Sequence, residues 1–329
     1  MPSDTRTAFE HLDPDTILDA VESSGLQGDG RILALNSYEN RVYRIGLEDS
    51  PPVIAKFYRP QRWSDEQILE DHAFSTELAA AELPVVAPLA DAADRTLHHF
   101  GPHRFALYPL RGGRAPELDN PGQLEIIGRF IARLHLLGEA HAFHYRPTLT
   151  VERLGDESVE FLLQSGHIPP ELIASYQAIS TDLLTVIRQR FEAAGAIRQL
   201  RIHGDFHPGN LLWRDETPHI VDLDDCCTGF AVQDLWMFLS GDRHYQNARL
   251  ADLLSGYEEF RTFDVRELTL IEPLRALRQI FYSAWLAKRW DDPAFPLAFP
   301  WFASARYWDD HILALREQRA ALDEPCLSW

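Results

Sequence analysis

Cysteine is scarce in this chain of 329 residues, with only Cys226, Cys227 and Cys326. Adjacent cysteines rarely bridge and no framework spacing is present, so a disulfide-built fold is excluded and a reducing, cytoplasmic setting is expected. The Cys226-Cys227 pair reads as inert buried thiols. No run approaches 18 apolar residues, which excludes a membrane-spanning helix. The first residues, Met1 to Arg6, have no apolar core and are not expected to act as a signal peptide. Positive charge is in short supply: 31 Lys and Arg stand against 50 Asp and Glu, a formal charge of −19. A nucleic-acid partner, which needs a basic footprint, and an anionic membrane surface are both argued against. Repeats and low-complexity segments are absent. What remains is ordinary soluble composition, 45% hydrophobic and 25% charged, long enough for one large or two coupled domains. A monomer is expected.

The most informative stretch is Ile202-His203-Gly204-Asp205-Phe206-His207-Pro208-Gly209-Asn210-Leu211-Leu212, followed by Ile220-Val221-Asp222-Leu223-Asp224-Asp225. Asp205 and Asn210 are five positions apart, and Asp222 comes twelve later. Phosphoryl transfer to a hydroxyl needs a carboxylate at the acceptor and oxygen ligands for Mg²⁺ on the nucleotide phosphates, and this spacing supplies both. Asp205 is the candidate proton acceptor. Asn210 and Asp222 are the candidate metal ligands, hard oxygen donors of the kind Mg²⁺ takes. Leu211 to Trp213 and His219 to Val221 read as two short strands around a turn at Asp215 to Pro218, a hairpin that brings Asn210 and Asp222 together. His203 reads as a buried histidine rather than a metal ligand. Asp224 and Asp225 read equally well as site residues or as a solvated acidic turn.

Upstream, Asp13-Pro14-Asp15 opens a helix ended by Gly25. Strands are expected over Arg31 to Leu35 and Arg41 to Leu47, joined by a turn from Asn36 to Asn40 that lacks glycine. If that turn covers nucleotide phosphates, Ser37 and the backbone N–H groups must serve, with Asn40 fixing the turn. Val53 to Tyr58 is a third strand with Lys56 among apolar neighbours; a lysine held inward needs a carboxylate partner. The helix expected over 64–82, capped by Ser64, offers Glu70 as first choice, with Glu66 and Glu77 open. Strands near 96–100 and 104–107 lead to Tyr108-Pro109-Leu110-Arg111-Gly112-Gly113, read as a linker whose backbone at Tyr108 and Leu110 can meet an adenine edge.

Beyond the linker helices dominate, over 121–138, 169–195 and 231–240 and through the tail from 249. Residues 141–168 are ambiguous, an insert or a lid. Asp234 either holds the catalytic loop by hydrogen bonds or caps its helix. Ten of the 28 residues from 281 to 308 are aromatic, against 11% for the chain; core packing is the favoured reading and an aromatic acceptor groove the other.

The set His203-Gly204-Asp205-x-His207-x-Gly209-Asn210, with Val221-Asp222 and Val53-Ile54-Ala55-Lys56, resembles the aminoglycoside-phosphotransferase and choline-kinase superfamily, which has a protein-kinase-like fold. Leu35 to Tyr43, Lys56 to Trp63 and Val232 to Met237 look like a bacterial branch of stress-response kinases within it. The resemblance spans about residues 15 to 310. It implies an α+β bilobal fold, with a small antiparallel-sheet lobe over 1–110 and a larger helical lobe over 111–329. It also implies transfer from ATP, with Mg²⁺, to Ser/Thr hydroxyls of proteins, in stress survival. Ser37 becomes a nucleotide contact and Asp222 both catalytic and metal-binding. No Ala-Pro-Glu segment follows Asp222, so activation by loop phosphorylation is not expected. Two rivals stand beside this reading: a kinase for a small alcohol such as an amino sugar or choline, and a non-catalytic nucleotide-sensing scaffold.

Overall fold

The computed structural model describes residues 9–329; the Met1–Arg6 segment considered above lies outside them. The chain is α+β and divides into two compact units. The first holds residues up to 117 with 143–146 and 207–226; the second holds 118–142, 147–206 and 227–329.

The first unit is built on a five-stranded antiparallel sheet. Its strands are β1 (Gly28–Ala34), β2 (Arg41–Leu47), β3 (Val53–Phe57), β4 (His98–Phe100) and β5 (His103–Pro109), in the order β1-β2-β3-β5-β4. Period-two alternation along β3 sends Val53, Ala55 and Phe57 into one core with Ile17, Ala20 and Val21 of helix α1 (Pro14–Glu22). Lys56 therefore belongs to the other face. There Ile68 of helix α2 (Asp65–Ala80) packs with Tyr58, Leu97 and Ala106. Both helices start where the caps predict. Asp13 accepts from Thr16 N, and Ser64 and Gln67 form a reciprocal capping box.

Strand β5 runs two residues past its expected end. Tyr108 is paired with Ile54 in the sheet rather than lying in a linker, and its hydroxyl meets that of Tyr58 at 2.9 Å. The periodic signal fades there because Pro109 closes the strand. The second hairpin, β7 (Leu211–Arg214) and β8 (Thr217–Ile220), is tighter than expected: Asp215 and Glu216 both take positive φ and form a two-residue turn. Pro218 is consequently a strand residue, opposite Trp213. The Pro84–Val86 segment docks along β8, with Ile220 N donating to Pro84 O and Val86 N to Ile220 O, each at 2.8 Å.

The second unit is helical. Helix α3 (Pro121–Gly138) matches its sequence bounds, and Gly138 is its last residue. Helix α3 crosses α7 (Arg243–Tyr257) at backbone contact range. A Cβ on Gly256 would collide with the carbonyl of Glu125, and one on Gly128 with that of Leu253. Alanine raises helix propensity by up to about 1 kcal/mol over glycine, but overpacking against a carbonyl costs more. Gly256→Ala is expected to destabilise the protein by about 2 kcal/mol, read as a lower urea midpoint at unchanged slope.

The ambiguous stretch 141–168 is not a lid. Its part from 147 onward holds a widened turn at Glu152–Asp156 and helix α4 (Glu157–Gln164), whose Val159 and Leu162 enter the main core. That core joins α5 (Ile173–Ala194), α8 (Ile271–Ala287) and α10 (Ala305–Ala321). The aromatic tail is largely core packing: Phe295, Phe302 and Trp308 are fully buried there, whereas Tyr282 and Trp301 stay exposed. A two-stranded pair joins β6 (Leu200–Ile202), just before Asp205, with β9 (Cys227–Gly229). The helix expected over 231–240 is a single turn, α6 (Gln233–Trp236).

Candidate active site

In the first unit the buried ammonium of Lys56 lies 2.7 Å from Asp222 Oδ1 and 3.2 Å from Asp224 Oδ1. Burial alone would depress this lysine, but the Asp222 and Asp224 charges hold its pKa well above the usual value. Glu70, the expected partner, is engaged elsewhere: its carboxylate accepts the backbone N–H groups of His144, Tyr145 and Arg146. The next residue, Asp71, is the buried helix carboxylate near Lys56. Desolvation raises it to about 7, offset in part by Arg146. The sequence carries a signal for it, since Asp71 shares the Ile68–Ser75–Leu78 face of α2.

Asp224 is not a solvated turn. It is buried, accepts from Asn40 Nδ2 at 3.0 Å and pairs with Arg62 Nη1 at 2.5 Å. Burial works against its charge, but Lys56 and Arg62 outweigh it and keep the carboxyl far below its ordinary range. Arg62 also reaches Asp225 at 2.6 Å. Arg146 donates to the carbonyls of Asp224 (2.6 Å) and Cys226 (2.8 Å). These two arginines fix the chain that follows Asp222, and no local spacing announced them. Asp222 itself adopts φ +62°, ψ +61°, the left-handed region that a non-glycine residue enters only under constraint.

The 36–40 turn is anchored as expected through Asn40, whose Oδ1 accepts Arg59 N at 3.1 Å while its amide holds Asp224. Glu39 pairs with Arg59 at 3.1 Å. Ser37 is half-buried in this turn, and Leu110 lies just past the end of β5. Asn210 and Asp222 are brought together: Val221 N donates to Asn210 O at 3.1 Å. Asn210 is buried, and the Asp222 side chain is 53% exposed. The Asn210 amide and the accessible Asp222 carboxylate, from residues flanking one hairpin, are hard oxygen donors, so these residue types fit a divalent cation such as Mg²⁺.

Asp205 lies in the second unit; the division falls between Phe206 and His207. Its Oδ1 is 2.7 Å from Arg278 Nη1 of α8. The loop carrying Asp205 is held by Asp234, which is fully buried. Its Oδ2 accepts His203 N at 2.8 Å and its Oδ1 accepts Gly204 N at 2.9 Å, while His135 Nε2 lies 3.1 Å from Oδ2. Gln233 donates to Gly204 O at 2.9 Å. Asp234 therefore holds the loop rather than capping a helix. His203 is fully buried and stacks on Phe206 at 4.8 Å. His207 Nδ1 accepts Gly209 N at 3.0 Å. Asp234→Ala would strand the buried His203 N–H and the part-buried Gly204 N–H, at about 1–3 kcal/mol for a buried group. A loss of about 3–5 kcal/mol is expected in urea unfolding, with Asp234→Asn losing less.

The family model described as "Phosphotransferase enzyme family" matches residues 31–271. Stress response kinase A of Escherichia coli K12 is 43% identical over 319 residues, covering 97% of this chain and 96% of that protein. The "Serine/threonine protein kinase RdoA" of Salmonella typhimurium LT2 is 43% identical over 325 residues, covering 99% and 98%. Among solved structures, an amicoumacin kinase in complex with AMP-PNP and Ca²⁺ superposes with a TM-score of 0.69 at 18% identity, covering 94% of this chain and 96% of that one.

Proposed function

This chain belongs to the phosphotransferase enzyme family, and from that premise we propose that it transfers the γ-phosphate of ATP, with Mg²⁺, to Ser and Thr hydroxyls of proteins. The observation that carries the reading is the intact set Lys56, Asp205, Asn210 and Asp222, in a chain 43% identical over nearly its whole length to proteins named as kinases. The solved kinases share the fold alone, and a fold by itself does not decide between small-alcohol and protein acceptors.

Lys56, Ser37 and the backbone of the 36–40 turn, with Tyr108 and Leu110 at the end of β5, would hold the nucleotide. Asn210 and Asp222 would hold the cation, which supplies neutralisation of charge on the phosphates when bound. Asp205 orients the acceptor hydroxyl and takes its proton as the oxygen attacks phosphorus. Arg278 pairs with Asp205 and restrains its carboxylate. Asp234 and Gln233 hold the loop at its backbone, so the base is positioned before substrate arrives. Glu70 does not anchor Lys56; Asp222 and Asp224 do, with Asp71 of α2 nearby. A cytoplasmic site of action in stress survival and a monomeric state complete the proposal. Among the described residues no helix is long and apolar enough to cross a membrane.

The test is acceptor comparison. Labelled phosphate from ATP is expected to appear on protein Ser or Thr at rates well above those on a panel of small alcohols including choline and amino sugars. Transfer confined to a small alcohol would overturn the protein-kinase reading, and absence of any turnover would favour a nucleotide-sensing scaffold.

A further inference from the structure

The segment that begins at Arg278, the partner of Asp205, differs in charge from the chain as a whole. From Arg278 to Arg289 the sequence has three cations, Arg278, Lys288 and Arg289, and no Asp or Glu, in a chain carrying 50 acidic residues. These positions share one side of α8 and its continuation at helical spacing with Phe281, Tyr282 and Trp285. The side chains interleave. Arg153 sits 6.0 Å from the Phe281 ring centre, Tyr282 stacks on Trp285 at 5.7 Å, and Arg289 lies 5.1 Å from the Trp285 ring. Lys288 lies 5.2 Å from Phe161 of α4. Tyr282 and Lys288 are exposed and Arg278 is half-exposed. Acids border the segment's ends: Glu157 faces Lys288, Asp291 faces His167, and the buried Asp292 donates its backbone N–H to Arg289 O at 3.0 Å.

We propose that this side of α8, starting at the Arg278–Asp205 pair, is the docking track for a polypeptide acceptor and selects Ser or Thr flanked by acidic side chains. The inference rests on the protein-kinase reading and names its substrate class. The twelve residues from Arg278 to Arg289 span roughly 16 Å of helix, the length of about five residues of extended peptide. Aromatic rings give such a peptide contact area, and the cations choose its charge. A small acceptor would leave most of the track unused. A cationic acceptor would meet the Arg278 guanidinium at the very carboxylate that must receive its proton.

The test uses the full chain with Mg-ATP and synthetic peptides bearing one Ser, identical except for Glu, Gln or Lys at the five flanking positions on either side. The Glu-flanked peptides are expected to have kcat/KM at least tenfold above the Lys-flanked ones, mostly through KM. The gap should narrow in about 0.5 M salt, as screening requires. Charge reversal at the far end, Lys288→Glu with Arg289→Glu, is expected to erase or invert the preference through KM, with circular dichroism reporting the fold. Polyglutamate should inhibit the unmodified protein competitively and polylysine should not. Peptide phosphorylation with equal or Lys-favouring rates overturns the track and leaves the protein-kinase reading standing. Phosphorylation of choline or an amino sugar with no peptide reacting overturns both.

Discussion

Asp205→Ala is expected to lower the rate of phosphoryl transfer by about 10²–10⁴-fold, the range a positioned proton acceptor contributes, while nucleotide affinity stays within about twofold. Asp205 contacts Arg278 and sits on a loop whose backbone is fixed independently by Asp234, so removing its carboxylate should leave the loop in place. The nucleotide-binding candidates all lie in the other unit of the chain, which is why binding and turnover should separate. Single-turnover kinetics with labelled ATP, beside calorimetric titration of Mg-AMP-PNP, measures both. Turnover near the unmodified rate would remove Asp205 from the chemistry. Asp205→Asn should be as slow as alanine, because an amide fills the space but accepts no proton.

Asp222→Ala should show the opposite division, with a loss of Mg-nucleotide affinity of at least tenfold. Asp222 is the accessible carboxylate of the proposed cation pair and also the closest partner of Lys56. Its removal takes away a hard oxygen donor and leaves Lys56 to Asp224 alone, 3.2 Å away. Relief of the left-handed backbone is not expected to compensate, since alanine is no better suited than aspartate to φ +62°. Calorimetry with and without Mg²⁺ separates the two contributions: in the unmodified protein the cation should strengthen nucleotide binding, and in the variant that gain should largely vanish. Undiminished Mg²⁺-dependent affinity would move the cation elsewhere.

The readable parts of this protein were the local ones. Asp13 and the Ser64–Gln67 box start helices because their side chains satisfy N–H groups two or three residues away, and α3 was bounded by its own apolar stripe. The candidates Asp205, Asn210 and Asp222 come from short fixed spacings of the kind loop chemistry imposes. What failed was pairing at a distance. Lys56 reaches Asp222 across 166 residues, and nothing in the spacing of α2 could show that Glu70 would be taken by the N–H groups of residues 144–146. Arg62, Arg146 and Arg278 were invisible for the same reason. The bound of β5 was missed because Pro109 and the glycines beyond it mark the end of a strand without saying which residue is last. The short α6 was overextended because an apolar run in a buried loop looks like a helix until its hydrogen bonds are placed.

The cluster around Lys56 is nearly self-compensated. Lys56, Arg59, Arg62 and Arg146 face Glu39, Asp71, Asp222, Asp224 and Asp225, and Asp71 holds a proton for part of the time near neutrality because burial lifts it to about 7. A resting site so balanced has no spare positive potential with which to draw in a bare polyphosphate. Under the proposed function, a nucleotide that brings its own counter-charge as a cation complex is therefore expected to bind more readily than the free polyphosphate.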